Sequence, residues 1–159
     1  MSIFPTKILM ATDGSKEATL AAQTAIDLAN KTGSVLHVVY ARIPPYSRAF
    51  YEGCEEGVDV GAYLQDESEE LTRRGQGLLD EQVRKIKAAG GSVAQAHLRV
   101  GRPDGEITAL ADEIGAGLIV MGSRGLGVMR RALLGSVSDS VVRHAHCPVL
   151  AVRKEEPTD

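Results

Sequence analysis

The sequence predicts an α/β fold: a doubly wound, Rossmann-like parallel sheet of five strands with helices on both faces, forming one domain over residues 1–159. Three observations carry this. Short apolar runs rich in branched residues alternate with segments whose apolar residues recur at helical spacing, the order produced by successive βαβ units. Four of the five runs are almost continuously apolar, as strands buried on both faces of a parallel sheet must be. A chain of 159 residues is long enough for one substantial core and too short for two ordinary domains.

The elements follow in order. KILMAT, from Lys7, is the first strand, and Asp13, Gly14 and Ser15 end it. Ala18, Ala21, Ala22, Ala25, Ile26 and Ala29 then form the stripe of an amphipathic helix, with Ser15 suited to cap its start and Gly33 its end. SVLHVVYA is the second strand. The segment Arg42 to Ala62, with two prolines, three glycines and no period, reads as an irregular excursion. Leu64, Leu71, Leu78, Leu79, Val83 and Ile86 mark a longer helix that stops at Gly90 and Gly91. Gly75 and Gly77 inside it each cost about 1 kcal/mol relative to alanine, which implies close packing or a kink.

SVAQAHLRV, the third strand, is the one that alternates, with Gln95, His97 and Arg99 between apolar neighbours, so it is expected nearer an edge. Ile107, Leu110, Ala111 and Ile114 give a third helix, opened by Pro103 and Asp104 and closed by Gly115. GLIVMG is the fourth strand. A last helix begins in GSVSDSVVRHA, where Ser136 and Asp139 have capping-box spacing, and PVLAVR is the fifth strand. No internal repeat is evident.

Composition narrows the function classes. A formal charge of -3 and a pI near 5.8 do not suit a dedicated nucleic-acid binder, and four tyrosines with two phenylalanines make no stacking platform. No apolar stretch approaches the roughly 18 residues of a membrane span, and no signal-length apolar region with a cleavage site opens the chain, so the cytoplasm is the expected compartment. Cys54 and Cys147 read as free thiols. His144, His146 and Cys147 supply only three candidates for a metal at a helix-to-strand junction, and a structural role is expected for them, as for the strand residues His37 and His97.

Against this acidic background, GSRGLGVMRRALLGS, Gly122 to Ser136, holds four glycines and three arginines and no acid. A glycine-rich loop running into a helix start offers backbone N–H groups and the positive end of a helix dipole, which suits a phosphate. It has no lysine for a Walker A loop, and Arg130 stands where a dinucleotide fingerprint needs its last glycine. Read by itself, Asp13 could bind a ligand or cap a turn. Arg124, Arg130 and Arg131 could neutralise phosphate or be solvated surface charge.

The spacing that remains is Gly122-x2-Gly125-x9-Gly135-Ser136. With KILMATDGS, HVV, VGRPDGEI, GLIVMGSRG and LLGSVSDSVVRHAHCPVLAVR, it resembles the ATP-binding branch of the universal stress protein family over nearly the whole chain. That resemblance implies that Asp13 and Val38 serve the adenine and ribose end, with Met121 and Gly122 nearby, and that Gly125, Gly135, Ser136, Val137 and Ser138 hold the phosphates. Thr12 and Arg124 complete the expected nucleotide-binding set. Ala11 departs from the proline of some nucleotide-binding relatives, which bears on pocket shape. ATP or another adenine nucleotide, with Mg2+, is the implied ligand, and a homodimer through the last strand, about residues 147–153, the implied assembly. The expected function is a stress-response module that holds nucleotide with at most slow hydrolysis. A slow ATP hydrolase or phosphotransferase and a nucleotide-free interaction module are the alternatives.

Overall fold

A computed structural model describes residues 2–44, 60–124 and 134–154. Its elements are β1 (Lys7–Ala11), α1 (Lys16–Thr32), β2 (Val35–Arg42), α2 (Val60–Ala88), β3 (Val93–Val100), α3 (Pro103–Ile114), β4 (Leu118–Gly122), α4 (Ser136–His144) and β5 (Val149–Val152). The strands form one sheet in the order β3-β2-β1-β4-β5, and every pairing is parallel. β3 is an edge strand, as its alternating pattern predicted. Of the segment read as irregular, Arg42 closes β2 and residues 60–62 open α2, while residues 45–59 lie outside the described residues.

The period of two along each strand divides the core. Ile8, Met10, Leu36, Val38 and Val120 face α1 and α2, packing on Ala21, Ala25, Ile26, Leu79 and Ile86. Leu9, Ala11, Val39, Ile119 and Met121 face α3 and α4, packing on Ile107, Leu110, Ala111 and Val141. The small alanine stripe of α1 lets that helix lie close to the sheet. At 0% exposure for Ile8, Leu9 and Met10, β1 is buried on both faces, which is why its sequence is a continuous apolar run.

Local signals fix most helix ends. Ser15 Oγ accepts from Ala18 N at 3.1 Å at the start of α1, and Gly33, at φ 67°, ends it in the left-handed region. Pro103 opens α3 and Gly115, at φ 68°, closes it. The two glycines of α2 differ. A Cβ on Gly75 would lie 3.0 Å from Leu98 Cδ1 and 3.2 Å from Tyr40 Cε1, whereas one on Gly77 would meet nothing within 4 Å. The expected close packing is therefore at Gly75 alone.

The capping box expected at α4 does not form. Gly135 is the N-cap and Ser136 the first helical residue, no side chain among the described residues caps this end, and the Asp139 carboxylate instead pairs with Arg143 Nε at 3.0 Å.

Candidate functional site

β1 leads into α1 on one face of the sheet and β4 leads toward α4 on the other, so a crevice opens beyond their carboxyl ends, where doubly wound sheets bind ligands. A cleft of about 310 Å3 lies there. Ala11, Thr12 and Asp13 line it from the end of β1, Ser15 and Ala18 from the start of α1, and Ala41 from the end of β2. Pro103 and Ile107 come from α3, Met121, Gly122 and Arg124 from β4 and its exit, and Gly135, Ser136, Val137 and Ser138 from the start of α4. Segments more than 100 residues apart in sequence thus meet at one place.

Most of the residues singled out in the sequence converge here: Thr12, Asp13, Met121, Gly122, Arg124, Gly135, Ser136, Val137 and Ser138 all line the cleft. Gly125, Arg130 and Arg131 lie outside the described residues. Val38 does not reach the cleft. It is fully buried against α1 and α2, on the opposite side of β2 from Val39, and the β2 residue that lines the cleft is Ala41. The missed Ala41 was detectable, because a ligand-facing residue of β2 must sit at the strand's carboxyl end with the parity of Val39. Ser15, Ala18, Pro103 and Ile107 were recognised only as caps and helix stripe.

Asp13 does cap a turn: its Oδ1 accepts from Ser15 N at 2.9 Å, which orients the carboxylate and leaves Oδ2 for another donor. Thr12 is 6% exposed, its N–H donating to Val39 O at 2.9 Å and its Oγ1 accepting from Gly14 N at 3.3 Å. The Ser138 hydroxyl donates to Gly122 O at 2.8 Å, which holds α4 onto the end of β4. Gly135 N donates to Ser123 O at 2.6 Å, closing the same stem. Ser136 carries no such duty among the described hydrogen bonds.

The electrostatics are asymmetric. Among the described residues no side chain caps the start of α4, which turns its first N–H groups and positive dipole end toward the cleft. Arg124 adds a cation whose buried Nε has no hydrogen-bond partner among the described residues. Behind this wall, Ser140 Oγ donates to Asp104 Oδ2 at 2.7 Å and ties α4 to α3. That hydroxyl bond, with Gly105 N–H and the Arg102 guanidinium also contributing, holds the Asp104 carboxyl below its usual range.

The histidines elsewhere are structurally engaged. His37 and His97 stack with ring centroids 5.3 Å apart and Nδ1 of the first 3.1 Å from Nε2 of the second, and burial pushes both below the usual imidazole value. His144 Nδ1 donates to Ser140 O at 2.8 Å, and His146 Nδ1 lies 3.0 Å from Asp112 Oδ2. Burial pushes the Cys147 thiol up, the opposite of an activated thiolate. Among the described residues no three His, Cys, Asp or Glu side chains converge on a metal-sized site, and no helix is long and apolar enough to cross a membrane.

Comparison with known proteins places this geometry. The sequence model described as "Universal stress protein family" matches residues 5–153. Universal stress protein MJ0531 of Methanocaldococcus jannaschii is 35% identical over 149 residues, covering 93% of this chain and 82% of that protein. Among solved structures, universal stress protein UspA from Lactobacillus plantarum superposes with a TM-score of 0.77 at 20% identity, covering 96% of this chain and 100% of that one. A universal stress protein in complex with cAMP superposes with a TM-score of 0.65 at 27% identity, covering 94% of this chain and 97% of that one.

Proposed function

Because the chain belongs to the universal stress protein family, we propose that its cleft holds an adenine nucleotide, ATP first among them, and that it works as a homodimeric stress-response module in the cytoplasm. The observation that carries the reading is the bare start of α4. Ser136, Val137 and Ser138 line the cleft at a helix end that no side chain among the described residues caps, and a phosphate is the group such an end accommodates.

The rest of the cleft fits the other parts of a nucleotide. Ala11, Ala18, Ala41, Ile107 and Met121 give apolar walls for a purine, and the small alanines leave it room. Asp13, with Oδ1 engaged by Ser15 N, keeps an oxygen for a ribose hydroxyl. Arg124 supplies charge for the phosphates. The described residues gather no acidic cluster, so a Mg2+ would be held mainly by phosphate oxygens, the usual arrangement for this ion. The relative solved with cAMP supports an adenine ligand for the family cleft.

We assign the dimer contact to β5. It is an edge strand, Val149–Val152, pairing only with β4 among the described residues, and Leu150 on it is exposed. An apolar edge of this kind is covered in soluble proteins, and a second copy of the same strand covers it symmetrically.

The test is titration calorimetry of the purified chain with ATP, with mass spectrometry of any nucleotide released on denaturation. Stoichiometric ATP binding is expected. It should be abolished in Gly125→Val and Gly135→Val, whose added bulk blocks backbone approach to phosphate. Equal affinity in both variants and the parent would remove the phosphate end from this loop. Turnover is expected on the order of minutes per ATP, against a median near 10 s⁻¹ for enzymes.

A further inference from the structure

One residue absent from the cleft lining bears on how the phosphate end is built. Glu17, in the first turn of α1, accepts two hydrogen bonds at a single oxygen: Oε2 receives Ser123 Oγ–H at 2.8 Å and Arg124 N–H at 2.9 Å. Its donors are the first two residues after β4, where the glycine-rich segment begins, more than 100 residues away in sequence.

Ser123 is a junction. It is 1% exposed, and each of its polar groups is committed to a different element. N–H donates to Val152 O on β5 at 2.9 Å, the carbonyl accepts from Gly135 N at the threshold of α4 at 2.6 Å, and the hydroxyl goes to Glu17 on α1. Gly122 shows how closely α1 approaches. A Cβ there would lie 3.0 Å from Glu17 Cβ and 3.1 Å from the Glu17 carbonyl carbon, so the first turn of α1 sits directly on the end of β4.

We propose that Glu17 is a positioning residue for the phosphate end of the cleft: its carboxylate pins Ser123 and Arg124, and through them fixes both the exit from β4 and the start of α4. This rests on the reading that the cleft binds an adenine nucleotide. A consequence is a division of labour among donors. The Arg124 N–H and the Ser123 hydroxyl are consumed by Glu17, so they do not contact phosphate. Among the described residues the contacts fall to the N–H groups of Ser136 and Val137 and to the Arg124 side chain. A carboxylate is suited to the task because one oxygen can accept from both donors, and charge-assisted bonds hold a buried hydroxyl and amide more firmly than neutral ones. Its negative charge would oppose a phosphate placed on the same atoms, which reinforces the division.

The test compares ATP with adenosine in the full-length protein carrying Glu17→Ala or Glu17→Gln. By calorimetry, Glu17→Ala should weaken ATP about tenfold while changing adenosine less than about twofold, since only the phosphate end loses its anchor. Glu17→Gln keeps an acceptor oxygen and should recover most of that loss, staying within about threefold of the parent. Backbone hydrogen exchange, measured without nucleotide, should show the Arg124 amide exchanging at least tenfold faster in Glu17→Ala. Equal loss of adenosine and ATP, a Glu17→Gln protein as impaired as Glu17→Ala, or an unchanged Arg124 exchange rate would each overturn the assignment. A parent protein that binds neither ATP nor adenosine would instead overturn the proposed function and, with it, the positioning role. An accelerated Arg124 amide in that case would leave Glu17 a structural clamp only.

Discussion

Gly122→Ala tests the packing at the base of the cleft, and its cost follows from three distances. The new methyl would lie 3.0 Å from Glu17 Cβ, 3.1 Å from the Glu17 carbonyl carbon and 3.2 Å from Ala18 N. Apolar atoms pack best at about 3.5–4.0 Å, so every one of these contacts is short. Two of the three atoms are backbone in the first turn of α1, which no rotamer change can move. Relief requires α1 to retreat by a few tenths of an ångström, against the Ser15 cap and the Glu17 hydrogen bonds that hold it. Overpacking of this kind costs about 1–3 kcal/mol. For a domain of this size each kcal/mol lowers Tm by roughly 2–4 °C, so differential scanning calorimetry should register a drop of about 2–12 °C. ATP affinity should fall as well, because Gly122 lines the cleft. An alanine protein melting within 1 °C of the parent would show that β4 and α1 are not in the contact described.

Gly77→Ala should do the opposite: with nothing within 4 Å of the added methyl in an exposed part of α2, it should stabilise by about 1 kcal/mol and raise Tm by a few degrees. The His37–His97 pair makes stability fall with acidity. Both imidazoles are held below their usual value, so the unfolded chain takes up protons first; the pair's contribution is complete above about pH 6.5 and is lost as pH falls through the lowered values. Melting from pH 7.5 to 5.5 should therefore show a steeper decline in the parent than in a His37→Gln/His97→Gln protein, and parallel curves would refute it. Val149→Lys with Ala151→Lys places charge along the β5 edge and should give monomers in sedimentation. An intact dimer would move the interface elsewhere.

How far the sequence could be read depended on the range of the interaction. β1, β2 and β4 were legible because strands buried on both faces carry continuous apolar runs, and β3 was legible as an edge because Gln95, His97 and Arg99 interrupt it. β5 carries the same continuous pattern yet is an edge strand with Leu150 exposed, so its apolar run does not report burial on both faces. Ser15, Gly33, Pro103 and Gly115 act within their own turns, so their capping roles could be read directly. The cap of α4 could not. Ser136 and Asp139 have capping-box spacing, yet Gly135 takes the cap position, its N–H bonded to Ser123 O, and Asp139 turns to Arg143.

The cleft was legible as a location from the strand-end glycines and Asp13, and by resemblance down to most of its residues. Val38 lies outside the lining because its parity points its side chain at α1 and α2. Ser138 lines the cleft, and its hydroxyl donates to Gly122 O, a tertiary contact that spacing does not encode. Glu17 carries no motif that singles it out in the sequence. Its meaning lies in two donors more than 100 positions downstream.

The central claim, that an adenine nucleotide sits in this cleft with its phosphates on the start of α4, is tested most directly by amide chemical-shift mapping with ATP and adenosine in parallel. Both ligands should shift amides around Thr12, Asp13 and Ala41, and ATP alone should strongly shift Ser136 and Val137. Shifts by ATP that leave Ser136 and Val137 unmoved, or that cluster away from the ends of β1 and β4, would contradict the account.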